Sequence, residues 1–255
     1  MFDHEGPTLV ELARQALCST RGGYDLLAPK FDRTPFRTPD WLLDAVAPLL
    51  GAPGSVACAV DLCCGTGAGL RILRPLCRDL LVGVDFSLGM LARARARATT
   101  HDATGPAAAM HAGASPRVSL VQQDVLALGF RERFELATIW GALGHLRPAD
   151  QRRFLAETRS CLAPGGRLAF VTARWPPWWS PQLWLAAAFD GILWLRNRLW
   201  RPQFIMYYLS WPLDRSLRLL RASGFTTEAL PVSLRGRQTR LRLVVATRSD
   251  VSPQA

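Results

Sequence analysis

The chain has 255 residues, 49% of them hydrophobic, which is enough for one large α/β domain and too apolar for global disorder. Its formal charge is +11, yet Lys30 is the only lysine. A positive charge carried almost wholly by arginine, in a chain rich in Ala, Gly, Pro and Leu, reads as compositional bias more than as a nucleic-acid surface.

Asp3, Glu5, Glu11 and Arg14 leave no apolar core of signal-peptide length near the N-terminus, so the expected location is cytoplasmic. No stretch has the length of apolar sequence that a membrane-spanning helix needs. The cysteines Cys18, Cys58, Cys63, Cys64, Cys77 and Cys161 form no regular framework and are expected to be reduced.

Residues 8–19 read as a short amphipathic helix, and 40–50 (DWLLDAVAPLL) as another with Asp40 as N-cap. An alternation follows. VACAVDLC is a buried strand, and Gly65 to Leu76 a turn and helix. DLLVGVDF is a second strand and LGMLARARARA a second helix, its arginines on a solvated face. VSLVQQD and FELATIW are the third and fourth strands, Pro148 to Leu162 a helix, and GRLAFVTA the fifth strand. After PLDRSLRLLRASGF, a helix, TTEALPVSL and TRLRLVVATR can close the sheet as an antiparallel pair. Strands alternating with helices imply a mostly parallel sheet with helices on both faces and ligands at the carboxyl ends of the strands. Two segments interrupt the rhythm: Thr99–Arg117, an Ala/Gly-rich loop, and Arg174–Trp211, rich in Trp and Pro.

The stretch VDLCCGTGAG, Val60 to Gly69, sets two cysteines beside a glycine turn. Adjacent Cys63 and Cys64 lack the spaced partners of a structural zinc site, so no metal is expected. No Gly-Lys-Ser/Thr follows, which removes a phosphate P-loop, and Leu70 stands where a dinucleotide fingerprint needs a small residue. Asp61 at the strand end suits an ammonium group better than a pyrophosphate. VDLCCGTGAG resembles the first motif of class I S-adenosylmethionine-dependent methyltransferases, with Cys63 in place of the usual first glycine, a variant of the menaquinone-methyltransferase type. Four further motifs follow in order: VGVDFSLGML, with its acid eighteen residues beyond Gly67, then QQDVLAL, FELATIWGALGHL and LAPGGRLAFV. The resemblance covers residues 24–172 well and the C-terminal strands loosely.

The resemblance implies S-adenosyl-L-methionine as cofactor and a Rossmann-like seven-stranded sheet. Gly65 and Gly67 would admit the methionyl part and Asp61 its ammonium. Asp85 would accept from the ribose hydroxyls. Ser87 and Met90 would flank the adenosine, Phe86 would also bind the cofactor, and Asp124 and Val125 would meet the adenine. Trp140 would wall the pocket, and Tyr24 belongs to the aromatic lead-in YDLLAPKFD. His145, in the loop after the fourth strand, is the candidate catalytic base, with a structural role as the alternative.

The domain division expected is N-terminal helices at 1–50, a cofactor-binding core at 55–173, an insertion at 174–211 and a closing helix and strand pair at 212–249, all in one methyltransferase domain. Seven of the nine tryptophans fall within Trp175–Trp211. Three readings of this segment stay open: a lid over an apolar acceptor built from Trp184, Phe189 and Trp194, a peripheral membrane contact, or a core or homodimer contact. The expected function is methyl transfer to a small hydrophobic acceptor such as a quinone, polyketide or lipid-like molecule. The alternatives are a nucleic-acid methyltransferase, against which WGALGH stands after the fourth strand, and a non-catalytic cofactor-binding module.

Overall fold

The computed structural model describes residues 6–34, 36–104, 115–234 and 237–249, with the side chains of residues 100–104 outside the description. In chain order the strands are β1 (Val56–Leu62), β2 (Cys77–Asp85), β3 (Arg117–Gln122), β4 (Phe134–Ile139), β5 (Leu162–Ala173), β6 (Phe225–Leu234) and β7 (Arg237–Arg248). They form one sheet in the order β3-β2-β1-β4-β5-β7-β6. β7 runs antiparallel to both neighbours, and every other pairing is parallel.

The central strand explains the arrangement. β1 is buried along nearly its whole length, as a parallel strand covered on both faces must be. Cys58, Val60 and Leu62 join one core cluster and Ala59 the other, on the period of two that a pleated strand imposes, while a register irregularity between Val56 and Cys58 puts Val56 on the Ala59 side. The helices are α1 (Leu9–Leu17), α2 (Thr20–Leu27), α3 (Asp40–Leu50), α4 (Ala68–Leu73), α5 (Leu88–Thr104), α6 (Gln151–Cys161), α7 (Pro181–Leu199) and α8 (Leu213–Ala222). Leu43, Val46 and Leu50 of α3 and Leu73 of α4 pack with the Ala59 cluster. Phe154 and Leu155 of α6 and Leu220 of α8 pack with the Val60 cluster. Strand order reverses between β1 and β4, and the carboxyl ends of β2, β1 and β4 are in register there: Leu62 lies opposite Val84 on one side and Ile139 on the other. That reversal opens the crevice in which ligands of such sheets bind.

Several boundaries differ from the sequence reading. Pro39, not Asp40, is the N-cap of α3, and Asp40 sits in the first turn, where its charge favours the helix dipole. α2 was not anticipated as a separate helix. α5 runs to Thr104, through the first residues of the expected loop, and residues 105–114 of that loop lie outside the described residues. β5 starts at Leu162 because Leu162 pairs with Phe134 before a bulge at which Gly165 takes φ +71°.

Candidate functional site

A cavity of about 400 Å³ lies at the carboxyl ends of β1, β2, β3 and β4. Its floor is the turn after β1. Gly65 has φ +53° and nothing within 4 Å of where a Cβ would stand, so its open side faces the cavity. Cys63 takes φ 55°, the left-handed backbone for which a glycine would be unstrained. Gly67 has φ +85° as N-cap of α4 and does not line the cavity, since a Cβ there would meet Ala94 of α5 at 3.3 Å. Close approach belongs instead to Gly69, where a Cβ would fall on the Asp61 carboxylate and the Trp140 indole.

Asp61 is buried and lines the cavity. Its Oδ1 accepts from Thr138 Oγ1 at 2.7 Å, and Oδ2 has no partner among the described residues. Burial raises its pKa to about 7, the Thr138 bond opposing and the Asp85 charge adding to the rise. Trp140, at the end of β4, lines the same wall, and its Nε1 is buried without a partner.

Asp85 ends β2, buried. Gly65 N–H donates to its Oδ2 at 2.8 Å and Ser87 N–H to its Oδ1 at 2.9 Å. Burial lifts its pKa above the ordinary carboxylate value, and those two N–H groups hold the rise down. Phe86 and Met90 line the cavity, but Ser87 does not. The Ser87 hydroxyl donates to Asp25 Oδ1 at 2.6 Å and accepts from Met90 N–H at 3.1 Å, so it caps α5 and fastens α2 to it. At the end of β3, Asp124 and buried Val125 line the cavity, with Asp124 Oδ1 accepting from Leu126 N–H at 2.9 Å.

A second clamp passes through Asp32. Thr66 Oγ1 donates to its Oδ1 and Arg97 Nη2 to its Oδ2, both at 2.6 Å. Arg93 and Arg95 are exposed as the sequence implied, but Arg97 is half-buried, pinning α5 to the glycine turn. Asp25, Asp32 and Arg97 escaped sequence reasoning, although both acids lie within the aromatic lead-in YDLLAPKFD.

His145 and Tyr24 meet across the cavity wall. His145 Nδ1 lies 2.6 Å from the Ile205 carbonyl oxygen, which can only accept, so Nδ1 carries the proton. Nε2 therefore accepts from the Tyr24 hydroxyl, 2.7 Å away. Burial lowers the His145 pKa, the Ile205 bond opposing, and the imidazole is neutral. Burial first, and then the Asp85 charge, push the Tyr24 phenol well up. Tyr24 also stacks near Phe204, ring centres 6.5 Å apart, and tilts against Phe31 at 5.8 Å.

The 174–211 insertion is arranged differently from the lid expected. Trp184 and Trp194 are exposed, and Phe189 packs on Tyr208 at 5.1 Å; none of the three lines the cavity. The return segment after α7 does, through Gln203 and Ile205. It is held from inside: Asn197 Nδ2 donates to Phe204 O at 2.8 Å, Phe204 N–H returns to Asn197 Oδ1 at 2.9 Å, and Asp190 accepts from the backbone of Tyr208 and Leu209. Tyr207 N–H donates to Gly144 O at 2.8 Å, so this wall and the His145 loop meet backbone to backbone.

Burial raises the thiols of Cys63 and Cys64, the nearby Asp85 and Asp61 charges adding, so neither is a ready thiolate. Among the described residues no group of His, Cys, Asp and Glu could hold a metal ion.

Residues 59–166 match the family model described as a methyltransferase domain. A 2-phytyl-1,4-naphtoquinone methyltransferase of Thermosynechococcus vestitus is 34% identical over 118 residues. The match takes in 45% of each protein, so the chain spans less than half the length of that relative. An O-methyltransferase family protein from Burkholderia thailandensis is similar in structure, with TM-score 0.64 and 18% identity over 96% of this chain and 68% of that one. The magnesium protoporphyrin IX methyltransferase of Synechocystis PCC 6803, solved with bound SAH, gives TM-score 0.54 at 19% identity over 82% of this chain and 83% of that one. At these identities the two structures share the fold.

Proposed function

We propose, from the match of residues 59–166 to a methyltransferase-domain model and from the class I fold of the sheet, that the whole chain transfers the methyl group of S-adenosyl-L-methionine to a small apolar acceptor. The observation that carries this reading is the pair of buried carboxylates, Asp61 and Asp85, at the ends of adjacent strands. Asp61 has no cation beside it among the described residues, and one of its oxygens is open to the cavity. An ammonium there would relieve the desolvation that raises its pKa. The unpartnered Trp140 Nε1 and the open face of Gly65 fit the same ligand.

When bound, the cofactor supplies an electrophilic methyl group on a sulfonium. The remaining work belongs to the chain. Asp85 keeps lone pairs beyond those facing Gly65 and Ser87 and can accept ribose hydroxyls. Asp124 Oδ2 can accept from an adenine amino group, with Val125 beside it and Phe86 and Met90 supplying apolar faces. For an acceptor hydroxyl, the proton passes to the Tyr24 oxygen while the Tyr24 proton passes to His145 Nε2. His145 then carries both ring protons, one fixed on Ile205 O. In this reading His145 acts through Tyr24 rather than on the acceptor directly. A quinol or similar phenol on an apolar body fits both the relay and the relative's printed activity. Trp211 is buried in the core against Phe154 and Phe170, but the other six tryptophans of 174–211 are exposed, so the partner of this segment is external, a membrane surface or a second copy. No described helix is long and apolar enough to cross a membrane, and a cytoplasmic, peripheral location goes with this reading.

The test is turnover of isotope-labelled S-adenosylmethionine by the purified protein against a panel of phenols and quinols of rising hydrophobicity. Label should appear in the apolar members. Tight binding of the demethylated product with no labelled acceptor across the panel, and none from a cell lipid extract, would favour the non-catalytic module.

A further inference from the structure

α7 is built against the usual rule for a helix on a soluble protein. Of its nineteen residues it buries only Leu193 and Asn197. Leu185, Ile192 and Leu199 are 75%, 68% and 74% exposed, and Trp184 and Leu195 stand out beside them. With exposed Ala188, the positions Leu185, Ala188, Ile192, Leu195 and Leu199 recur every three or four residues, so they make one apolar stripe, edged by Trp184, along a helix about 28 Å long. Trp178 and Trp179 stand edge to face, and both are exposed at the head of the stripe. Trp184 Nε1 donates to Trp178 O at 2.8 Å and fixes that pair there. Trp200 is exposed at the other end.

A second helix repeats the pattern. α1 buries only Gln15 and exposes Leu9, Val10 and Leu17. Arg196 Nη2 reaches the Cys18 carbonyl at 3.4 Å and ties the last turn of α7 to the end of α1.

The charges select the occupant. Asp190 is the one acid of α7, and it is engaged inward by the backbone of Tyr208 and Leu209. Arg198 and Arg201 are exposed where the stripe ends and have no partner among the described residues. A second copy would bring this face no carboxylate from its own α7, whereas anionic lipid supplies phosphates for the arginines and a hydrocarbon boundary for the stripe. Tryptophans at both ends suit headgroup depth.

The face also leads into the cavity. Ser19, Thr20 and Arg21, just past α1, line it, and so do Gln203 and Ile205, just past α7. Thr20 N–H donates to Gln203 O at 3.2 Å and Ile205 N–H to Thr20 Oγ1 at 2.8 Å, which joins the two rims. Resting on the apolar-acceptor reading, we propose that α7 and α1 lie in the headgroup boundary of an anionic bilayer and that the acceptor enters the cavity from that bilayer.

The test is co-sedimentation of the full chain with phosphatidylcholine vesicles, with and without about a quarter phosphatidylglycerol, alongside calorimetry with the demethylated cofactor product. The chain should pellet with the anionic vesicles, less at high salt. Ile192→Glu should cut the bound fraction at least tenfold, and Arg198→Glu with Arg201→Glu should erase the preference for anionic lipid. These positions are exposed, so all variants should still bind the product. A wild-type chain that stays in the supernatant overturns the docking. So does a dimer abolished by Ile192→Glu in the absence of vesicle binding. Product binding separates the two readings: its absence beside intact vesicle binding counts against the methyltransferase, and its presence without vesicle binding counts against the bilayer alone.

Discussion

The hydroxyl of Tyr24 and Nε2 of His145 lie 2.7 Å apart although 121 residues separate them in the chain, and the far side of the imidazole is fixed on the Ile205 carbonyl. Only one proton arrangement satisfies both contacts at a neutral imidazole. Tyr24→Phe should therefore lower turnover of a hydroxyl acceptor by about a hundredfold or more while leaving product affinity nearly unchanged. His145→Gln should do the same, and the double variant should be no slower than either, since the two act as a unit. Steady-state rates and calorimetry decide it; a Tyr24→Phe enzyme with wild-type turnover would remove the relay.

The Asp85 carboxylate accepts from Gly65 and Ser87 and so shapes the glycine turn as well as facing the cavity. Asp85→Ala should weaken product binding by about tenfold or more, at the roughly 1.5–3 kcal/mol of a charge-assisted hydrogen bond. It should also lower the melting temperature, because two backbone donors lose their acceptor. Unchanged affinity in calorimetry would refute the ribose assignment.

Asp61 gives a pH signature. Its folded-state pKa, about 7, stands above the ordinary carboxylate value, so the folded chain holds this proton more tightly than the unfolded one. Its contribution to stability is therefore greatest in acid and is lost as pH rises from about 4 to about 7. An ammonium ligand needs the ionised form, so product affinity should rise about tenfold per pH unit toward 7 and then level off, with proton release on binding below 7. Calorimetry in buffers of different ionisation enthalpy measures the proton. Asp61→Asn should abolish both the slope and the release. His145, buried neutral, works in the opposite sense and loses stability in acid, so the comparison is made at each pH.

Gly69 and Gly65 should respond differently to alanine. At Gly69 the methyl group would strike Asp61 and Trp140, so Gly69→Ala should cost about 1–3 kcal/mol and collapse product binding. In Gly65→Ala the methyl group meets no protein atom and strains only a φ of +53°, at about 1–2 kcal/mol, but it stands in the open face that admits the ligand, so product binding should fall with Asp61 undisturbed. Calorimetry across pH separates the two: Gly65→Ala should keep the pH dependence set by Asp61 and Gly69→Ala should lose it, and a dependence lost in both would contradict this division.

The crevice was legible in the sequence because its residues sit at strand ends, and buried strands declare themselves as short apolar runs. Asp61, Asp85 and Asp124 each end such a run. Ser87 and Gly67 were placed one layer too close to the ligand: a serine two residues past a strand end can equally cap the next helix, and a left-handed glycine can equally serve helix packing. The direction of α7 was not legible. A helix apolar nearly all round has no periodicity by which to tell inside from outside, and its inward side is set by the contacts of Asn197 and Asp190 with residues 204–209, which no local pattern encodes. The Ile205 carbonyl was invisible for a simpler reason, being backbone.

The Asn197 amide grips both the carbonyl and the N–H of Phe204, and Ile205 is the next residue. The carbonyl that sets the tautomer of His145 is therefore suspended from the insertion rather than from the sheet. Grafting a different 174–211 segment onto this scaffold, to change which acceptors it takes, would replace that carbonyl too. Under the proposed relay, acceptor range and proton handling are mechanically coupled, and a transplanted segment would have to bring its own support for the imidazole.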